Sequence, residues 1–321
     1  MSKKRIFKYF LKEAKQHRPI VFYTDNDCDG MLAGSVLMSM CYRLGVKDFF
    51  FFSPLRNAHG YGFTDLAIND LLSKPCIFNP KTNQLVRLDC IKNQFQKDPL
   101  LFSTDLGADL AADIQLQEIL LERFEQCIIT DHHKSFEVDL IDENKTAYIN
   151  LNDEKDANYY SGAFTSALVF SQIFQTQTTP LEKELIAITL LSDSRLSVFN
   201  VKEFKRYNDI KKKMVKENEE SVQIFSCNKI LVAILDESCS VKWGISGLVA
   251  NNFLKKYPSN RSLCIYRDNK DGYSGSARGG GNFLSQIKTI PLIQAGGHEE
   301  AFGLSFAKED FKKVIKSLQA L

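Results

Sequence analysis

The sequence predicts an α/β fold in which a parallel-sheet N-terminal domain is joined by a linker helix to a smaller α/β C-terminal domain. Two observations predict this fold. Short, continuous apolar runs alternate with helical patterns over residues 18–151, which is typical of a parallel sheet covered by helices on both faces. A long charged stretch then interrupts the pattern, and a second alternation of strands and helices begins after it.

The first domain contains apolar runs that predict strands, and helical patterns that follow them along the chain. The strand runs are 19–24, 48–54, 99–105, 127–131 and 146–152. The helical patterns are 31–45, 63–73, 108–124, 161–175 and 181–193, after a first amphipathic helix at 1–17. Ligands of such sheets bind beyond the carboxyl ends of the strands, so we look for functional residues there.

The charged stretch at residues 201–220 predicts a helix that connects two domains. We therefore place the first domain at 1–200, a linker at 201–222 and the second domain at 223–321. The second domain is expected to contain a strand, a helix, a hairpin around an Asn/Asp/Gly turn, a glycine-rich turn and a final helix. The first three of these are 229–237, 244–257 and 262–278.

The composition is that of a folded protein without a membrane segment. Of the 321 residues, 44% are hydrophobic and 25% charged, and no apolar run approaches the length that crosses a bilayer. The eight cysteines are scattered without a Cys-x-x-Cys pair, which argues against a zinc ribbon and favours reduced thiols in the cytoplasm. Residues 1–222 hold 28 basic and 31 acidic side chains, whereas residues 223–321 hold 13 and 8. An anion-binding second domain is one interpretation of this difference, and chance is the other.

Acidic side chains follow the predicted apolar elements. The segment YTDNDCDG (23–30) has an aspartate at every second residue, so in extended chain the three carboxylates face one side. Other acids end later apolar runs within STDLG, TDHH and LLSDSR. The candidate residues are Asp25, Asp27, Asp29, Asp105, Asp131, His132, His133 and Asp193. Each aspartate alone is also typical of a helix N-cap or a turn, and a buried histidine is more often a hydrogen-bonded core residue than a ligand. The combination favours a site, because strand ends converge in this architecture.

The combined set of carboxylate and imidazole groups predicts a divalent metal centre. Like charges that converge in a cleft repel one another unless cations neutralise them. Oxygen and imidazole ligands without thiolate suit manganese first and magnesium second. Five or six such ligands exceed the needs of one ion, so we expect two ions about 4 Å apart that share one aspartate.

These motifs resemble those of the DHH phosphoesterase superfamily. DNDCDG, TDLG, DHH and LLSDSR are similar to its four N-terminal motifs, in the same order. GSARGGG (275–281) and QAGGHEEAFG (294–303) are similar to the two signatures of its DHH-associated domain. The resemblance covers nearly the whole chain. It implies a two-manganese hydrolase of phosphoester bonds in nucleic acids or nucleotides, with the active site in the cleft between the domains.

The resemblance also implies roles for individual residues. The implied metal ligands are Asp27, Asp29, Asp105, His132 and Asp193, with Asp105 as the bridge, and whether Asp25 contacts a metal directly stays open. Asp131 would orient a histidine, and His133 would contact a metal or a substrate phosphate. In the second domain, substrate phosphates would be held by Arg278, His298 and the backbone N–H groups of Gly296 and Gly297.

Two branches of the superfamily compete. The oligoribonuclease and nucleotide phosphatase branch has a histidine four residues before its Asp-x-Asp pair, where this chain has Tyr23. The RecJ-like branch has Asp-x-Asp-x-Asp-Gly, and an arginine followed by Gly-Tyr-Gly after the second strand. This chain matches both features, and RNAHGYGF (56–63) adds Arg56 and Tyr61 as candidate substrate-binding residues. Leu106 and Arg195 depart from the commonest spellings of the second and fourth motifs.

The motifs are thus RecJ-like, whereas a net charge of only +2 and the lack of a recognisable OB-type domain favour short substrates. We expect a nano-RNase-like phosphodiesterase that hydrolyses short oligonucleotides, or linear or cyclic dinucleotides, to mononucleotides. A RecJ-like single-stranded DNA exonuclease is the first alternative. A catalytically inactive, nucleotide-binding regulatory protein is the second. Base and sugar preference, end polarity and oligomeric state, including a homodimer, stay open.

Overall fold

The computed structural model describes residues 3–60, 62–110, 113–133, 140–151, 160–192, 202–219, 222–227, 229–235, 242–257, 261–267 and 272–321. The chain divides into two compact units, Met1–Tyr207 and Asn208–Leu321. Each unit contains its own sheet with helices, so the α/β class predicted from the sequence is confirmed.

The first unit is built on a seven-stranded sheet. Its strands are β1 Ile20–Thr24, β2 Phe49–Phe52, β3 Ile77–Asn79, β4 Gln84–Val86, β5 Leu100–Thr104, β6 Gln126–Asp131 and β7 Thr146–Asn150. They lie in the order β4-β3-β2-β1-β5-β6-β7, and β2, β1, β5, β6 and β7 are parallel. The chain order reverses at β1, and ligands of open parallel sheets bind at the carboxyl ends of the strands beside such a reversal.

Helices pack on this sheet through two hydrophobic clusters. The helices are α1 Lys3–Lys15, α2 Cys28–Arg43, α3 Arg56–His59, α4 Asp65–Ser73, α5 Leu88–Phe95, α6 Ile114–Leu121, α7 Gly162–Phe174 and α8 Pro180–Ser192. Along β1, Ile20 and Phe22 belong to one cluster, whereas Val21 and Tyr23 belong to the other. Successive side chains of a strand point to opposite faces, so a strand buried on both faces must be continuously apolar.

The antiparallel hairpin β3–β4 is an element that the sequence analysis missed. Its strands have only three residues each, too few to show an alternating pattern. In the turn, Asn79 accepts the backbone N–H of Lys81 at 3.0 Å, and Asn83 adopts a left-handed φ of 56°. Asparagine tolerates that conformation better than most residues, which explains why the turn forms here.

The second unit contains a six-stranded sheet. Its strands are β8 Gln223–Cys227, β9 Ile230–Ile234, β10 Arg261–Arg267, β11 Gly272–Arg278, β12 Gln294–His298 and β13 Ala301–Ala307, in the order β12-β13-β11-β10-β9-β8. Helix α9 (Lys202–Glu219) covers most of the predicted linker and precedes β8. The later helices are α10 Lys242–Lys256, α11 Phe283–Lys288 and α12 Phe311–Gln319. In the part of the chain that the structure describes, no helix has the length and apolar character to cross a membrane.

Candidate metal centre

The first motif forms the turn from β1 into α2. Asp25 follows β1, and its Oδ1 accepts the N–H of Asn26 at 2.6 Å. Asp27 is the N-cap of α2, because its Oδ1 accepts the N–H of Gly30 at 3.0 Å. A Cβ at position 30 would lie 2.5 Å from the carbonyl oxygen of Asp25. Glycine is therefore required for Asp25 to approach the helix this closely.

Asp29 connects α2 to the start of α7. Its carboxylate is buried and accepts the N–H groups of Gly162 at 2.6 Å and Ala163 at 3.0 Å. The first N–H groups of a helix carry partial positive charge, which makes them good partners for a carboxylate. Ser161 completes this helix start, since its hydroxyl accepts the N–H of Phe164 at 3.2 Å. The N-terminus of α7 thus fixes the position of Asp29.

The second motif is a tight turn at the end of β5. Asp105 has a left-handed φ of 63°, and Gly107 has φ 126°. The hydroxyl of Ser103 donates to the carbonyl oxygen of Leu106 at 2.6 Å, and the N–H of Asp105 donates to the carbonyl oxygen of Thr130 at 3.0 Å. Leu106, which differs from the residue most common at this position of the second DHH motif, is buried in the core. The turn presents Asp105 at the carboxyl end of the sheet.

Gly162 makes room for Asp105. A Cβ at position 162 would lie 2.5 Å from Oδ1 of Asp105, a distance that real Cβ atoms do not show. The pattern at 161–175 predicts a helix, but Gly162 is not among the candidate site residues that the sequence indicates. The signal was the Ser-Gly-Ala triplet, a capping residue followed by two small residues whose N–H groups can approach a ligand or a carboxylate.

The third motif, at the end of β6, holds a histidine through a buried acid. Asp131 accepts the backbone N–H groups of Ala108 at 2.8 Å, His132 at 2.7 Å and His133 at 3.1 Å, and lies 2.8 Å from Nδ1 of His133. Burial raises the pKa of Asp131, but the hydrogen bond from the His133 side chain and the nearby histidine charges outweigh it and hold the pKa at about 2. Asp131 is therefore ionised at neutral pH and orients His133.

His132 links the acids of the first two motifs. Its Nε2 lies 2.8 Å from Oδ1 of Asp105 and 3.5 Å from Oδ2 of Asp29. All three side chains are at most 2% exposed. The imidazole thus lies between two buried carboxylates, one from the first turn of α2 and one from the residue that follows β5.

Two groups of side chains offer ligand atoms that all lie within 4.8 Å of one another. They are Asp25, Asp27 and Asp105, and Asp105, His132 and His133. Asp105 belongs to both groups, which is the geometry required of a residue that bridges two ions. The donor atoms are carboxylate oxygens and imidazole nitrogens, the set that suits manganese or magnesium.

No protein-family model matches this chain, and neither does any curated protein. Solved structures match its fold. An exonuclease RecJ bound to manganese has a TM-score of 0.62 at 16% identity, over 100% of this chain and 94% of that one. The DHH domain of a member of the s1p family of ribosomal proteins has a TM-score of 0.56 at 15% identity, over 99% and 89%. An exopolyphosphatase-related protein from Bacteroides fragilis has a TM-score of 0.53 at 14% identity, and the match covers 99% of this chain and 96% of that one. The chain has a RecJ-like DHH fold.

In this DHH fold the first three motifs lie at the carboxyl ends of β1, β5 and β6. Asp193 and Arg195 of the fourth motif lie outside the described residues, as does Tyr61. Arg56 is the first residue of α3, but its side chain, like that of His298, is not among those described. The proposed roles of these residues therefore stay predictions.

Buried hydroxyl groups fix α7 against the DHH motifs. The hydroxyl of Ser166 lies 2.6 Å from that of Thr104 and 2.7 Å from that of Thr130, at the ends of β5 and β6. Ser161 and Thr189 pair in the same way at 2.7 Å and tie α7 to α8. Buried hydroxyls are costly without partners, so these pairs specify where the helix sits. No sequence pattern predicted these hydroxyl pairs.

Arg278, a predicted phosphate-binding residue, ends β11 in the second unit. Its Nη1 donates to the carbonyl oxygen of Ala277 at 2.7 Å, and burial lowers its pKa. Gly247 of α10 leaves space for the guanidinium, because a Cβ there would lie 2.7 Å from Nη2 of Arg278. The second unit thus half-buries a guanidinium, and α10 shapes the space around it.

The predicted glycine turn of the second unit is wrong. Residues 294–298 form β12, an edge strand that pairs with β13 across a turn of two glutamates. Gly296 and Gly297 hide this strand from a pattern analysis, because glycine shows no alternation of apolar and polar side chains. The register sets Arg278 opposite Ala301, and Ala301 opposite His298. The backbones of Arg278 and His298 therefore share one end of the second sheet.

Proposed function

We propose that this protein is a manganese-dependent phosphodiesterase that hydrolyses short oligonucleotides, or linear or cyclic dinucleotides, to mononucleotides. The observation that carries the proposal is the pair of ligand groups that share Asp105. A protein that only binds nucleotides has no need to crowd buried carboxylates, whereas a two-ion centre requires them. The fold similarity to an exonuclease RecJ bound to manganese supports the same reaction class and the same ion.

The proposed ligands are Asp25, Asp27, Asp29, Asp105, His132, His133 and Asp193. When bound, two divalent ions lower the pKa of water and neutralise charge on the phosphoryl oxygens. The chain itself supplies the fixed geometry. Asp131 orients His133, and the N-terminus of α7 holds Asp29, so these groups need not reorganise when substrate arrives.

Substrate phosphates are proposed to be held by the second unit. The guanidinium of Arg278 offers paired donors to a phosphate, and the backbone at Gly296 and Gly297 permits close approach of an anion. His298 adds a further donor. In the first unit, Arg56 and Tyr61 are the proposed contacts to the rest of the substrate.

A single-stranded DNA exonuclease is the second candidate. One observation favours it, namely that this chain covers 94% of the matched exonuclease RecJ. The net charge of +2 favours the first candidate, because tight binding of a long strand requires many phosphate contacts. The two candidates use the same metal centre and differ in substrate length.

Product analysis with manganese separates the candidates. The substrates are a dinucleotide, a five-mer, a long single strand, a cyclic dinucleotide and a 3′-phosphorylated nucleotide. Release of mononucleotide should be fastest from the shortest phosphodiesters and should stop in EDTA. Processive digestion of the long strand would favour the exonuclease. Stoichiometric nucleotide binding without any product would identify a regulatory binding protein and refute both candidates.

A further inference from the structure

Residues 55–63, called here the 55–63 segment, connect β2 to α4 and contain α3. Gly60 and Gly62 have φ values of 83° and 84°, so the backbone turns at two positions that favour glycine. Tyr61 lies outside the described residues. The described residues of the segment are held to the rest of the first unit at both ends.

At the C-terminal end the segment is held by Tyr23. The buried hydroxyl of Tyr23 donates to the carbonyl oxygen of Gly62 at 3.1 Å. Its ring stacks on that of Phe63, with centroids 4.0 Å apart and planes 13° apart. Tyr23 precedes Asp25 by two residues, and this contact therefore starts from the first motif.

A second contact at the same end comes from Asp109. Its Oδ2 accepts the N–H of Phe63 at 2.8 Å, and its Oδ1 accepts the N–H of Leu110 at 3.0 Å. A Cβ at Gly62 would overlap Oδ2 of Asp109, so glycine is required for this approach. Asp109 follows Asp105 by four residues, and this contact therefore starts from the second motif.

The other end of the segment is held by His59. Its Nδ1 accepts the N–H of Leu55 at 2.8 Å, so Nε2 carries the hydrogen and donates to Oδ2 of Asp70 at 3.1 Å. The hydroxyl of Thr64 donates to the carbonyl oxygen of His59 at 2.5 Å. The segment is thus attached to α4 as well as to the two motif turns.

We propose that Tyr23 and Asp109 are positioning residues that hold the 55–63 segment beside the metal centre as a substrate-binding wall. The inference rests on the proposed function. Tyr23 lies in β1, two residues before Asp25, and Asp109 lies in the loop four residues after Asp105, so the wall and the acids keep a fixed mutual position. Neither residue acts on the scissile phosphate. Their effect should therefore fall on the binding of the nucleoside parts of a substrate and not on the metal ions.

The test compares Tyr23→Phe and Asp109→Asn with matched controls. Tyr207→Phe removes a tyrosine hydroxyl that donates to Glu184 at 2.6 Å, and Asp48→Asn alters a buried acid that accepts from Lys81 at 2.7 Å. Kinetics are measured on a dinucleotide and on bis(p-nitrophenyl) phosphate, a diester without nucleosides. Manganese affinity is measured by calorimetry. Tyr23→Phe keeps the ring stack, so this variant should fold, and thermal unfolding verifies it.

For both variants we expect KM for the dinucleotide to rise about five- to tenfold, with kcat within about twofold of wild type. Manganese affinity and hydrolysis of the aryl diester should not change, and the two controls should match wild type throughout. Wild-type KM in both variants, or weakened manganese binding, would overturn the inference. Wild-type protein that hydrolyses neither substrate would instead overturn the proposed function, and this inference with it.

Discussion

At the residue scale, Asp105 occupies a position that few residues could fill. It adopts a left-handed backbone conformation, and its Oδ1 lies 2.8 Å from Nε2 of His132. It also belongs to both groups of candidate metal ligands. Aspartate and asparagine tolerate this backbone region better than most residues. The position therefore combines a conformational requirement with a chemical one, and the two can be separated by substitution.

Asp105→Asn tests the chemical requirement. Asparagine keeps the size and the backbone conformation but removes the charge that two ions would share. We expect a loss in kcat of roughly a thousandfold, the size seen when a key electrostatic group is removed. Asp89→Asn, an exposed site on α5, should retain full activity. Near-normal turnover by a folded Asp105→Asn protein would refute the shared-ligand assignment.

At the element scale, the start of α7 is the part of the fold that assembles the centre. Its first N–H groups hold Asp29, its glycine accommodates Asp105, and Ser166 bonds to the ends of β5 and β6. Helix α7 also begins far along the chain from the motifs that it supports. Helix α7 thus supports the candidate ligands by packing closely against them, and it contributes no ligand atom to either of the two groups.

Gly162→Ala tests this close approach. Alanine is the better helix former, so by helix propensity alone the change would be neutral or stabilising. The new methyl group must push Asp105 away, and overpacking of this kind costs about 1–3 kcal/mol. We expect lower manganese affinity and at least a tenfold loss of activity, measured by calorimetry and kinetics. Gly280→Ala, where a Cβ meets no atom within 4 Å, is the control.

The contact between α2 and α8 predicts a pH dependence of stability. Glu182 is fully buried and accepts hydrogen bonds from Ser39 at 2.6 Å, from the Thr179 N–H at 2.7 Å and from Arg43 at 2.9 Å. Burial raises the pKa of Glu182, but these bonds outweigh burial and lower it. Because the pKa is lower in the folded state, ionised Glu182 stabilises the fold at pH values above the ordinary glutamate pKa of about 4.3. This contribution is lost as the pH falls through the folded-state pKa.

Thermal unfolding of Glu182→Gln from pH 7 to pH 3 tests this dependence. Wild type should be the more stable protein at neutral pH, and the difference should shrink as the pH falls. Glu118→Gln, an exposed position on α6, serves as the control and should differ little from wild type at any pH. A difference for Glu182→Gln that stays constant over this range would show that ionisation of Glu182 does not contribute.

At the scale of the whole molecule, the first unit concentrates buried aspartate side chains at one edge of its sheet. Asp25, Asp29, Asp105 and Asp131 are each at most 2% exposed. Burying several carboxylates close together destabilises a fold unless cations or hydrogen bonds compensate. Metal binding and stability of the folded chain are therefore expected to be coupled.

Manganese should raise the unfolding temperature of the chain, and EDTA should abolish activity. An ion that binds only the folded state adds about 2.7 kcal/mol of stability at one hundred times its Kd. The increase should be smaller in Asp105→Asn, which retains fewer shared ligand atoms. An unfolding temperature that is unaffected by millimolar manganese would contradict the proposed centre, since a bound ion must stabilise the state that binds it.

The sequence by itself determined the class of the fold and most of the candidate centre. Continuous apolar runs fixed the parallel strands, because a strand buried on both faces cannot alternate. The acids of the first three motifs were visible because each directly follows an apolar run, and parallel strands bring their carboxyl ends to one edge. These features are local in the chain, so a pattern analysis can detect them.

The tertiary structure alone decided what supports those acids. The bond between Asp29 and Gly162 joins residues 133 positions apart, and the one between Asp109 and the Phe63 N–H joins residues 46 apart. A glycine or a backbone N–H has no side-chain signature, so its role depends on which group packs against it. The strand at 294–298 was missed for the same reason, because its two glycines show no pattern until β13 pairs with them.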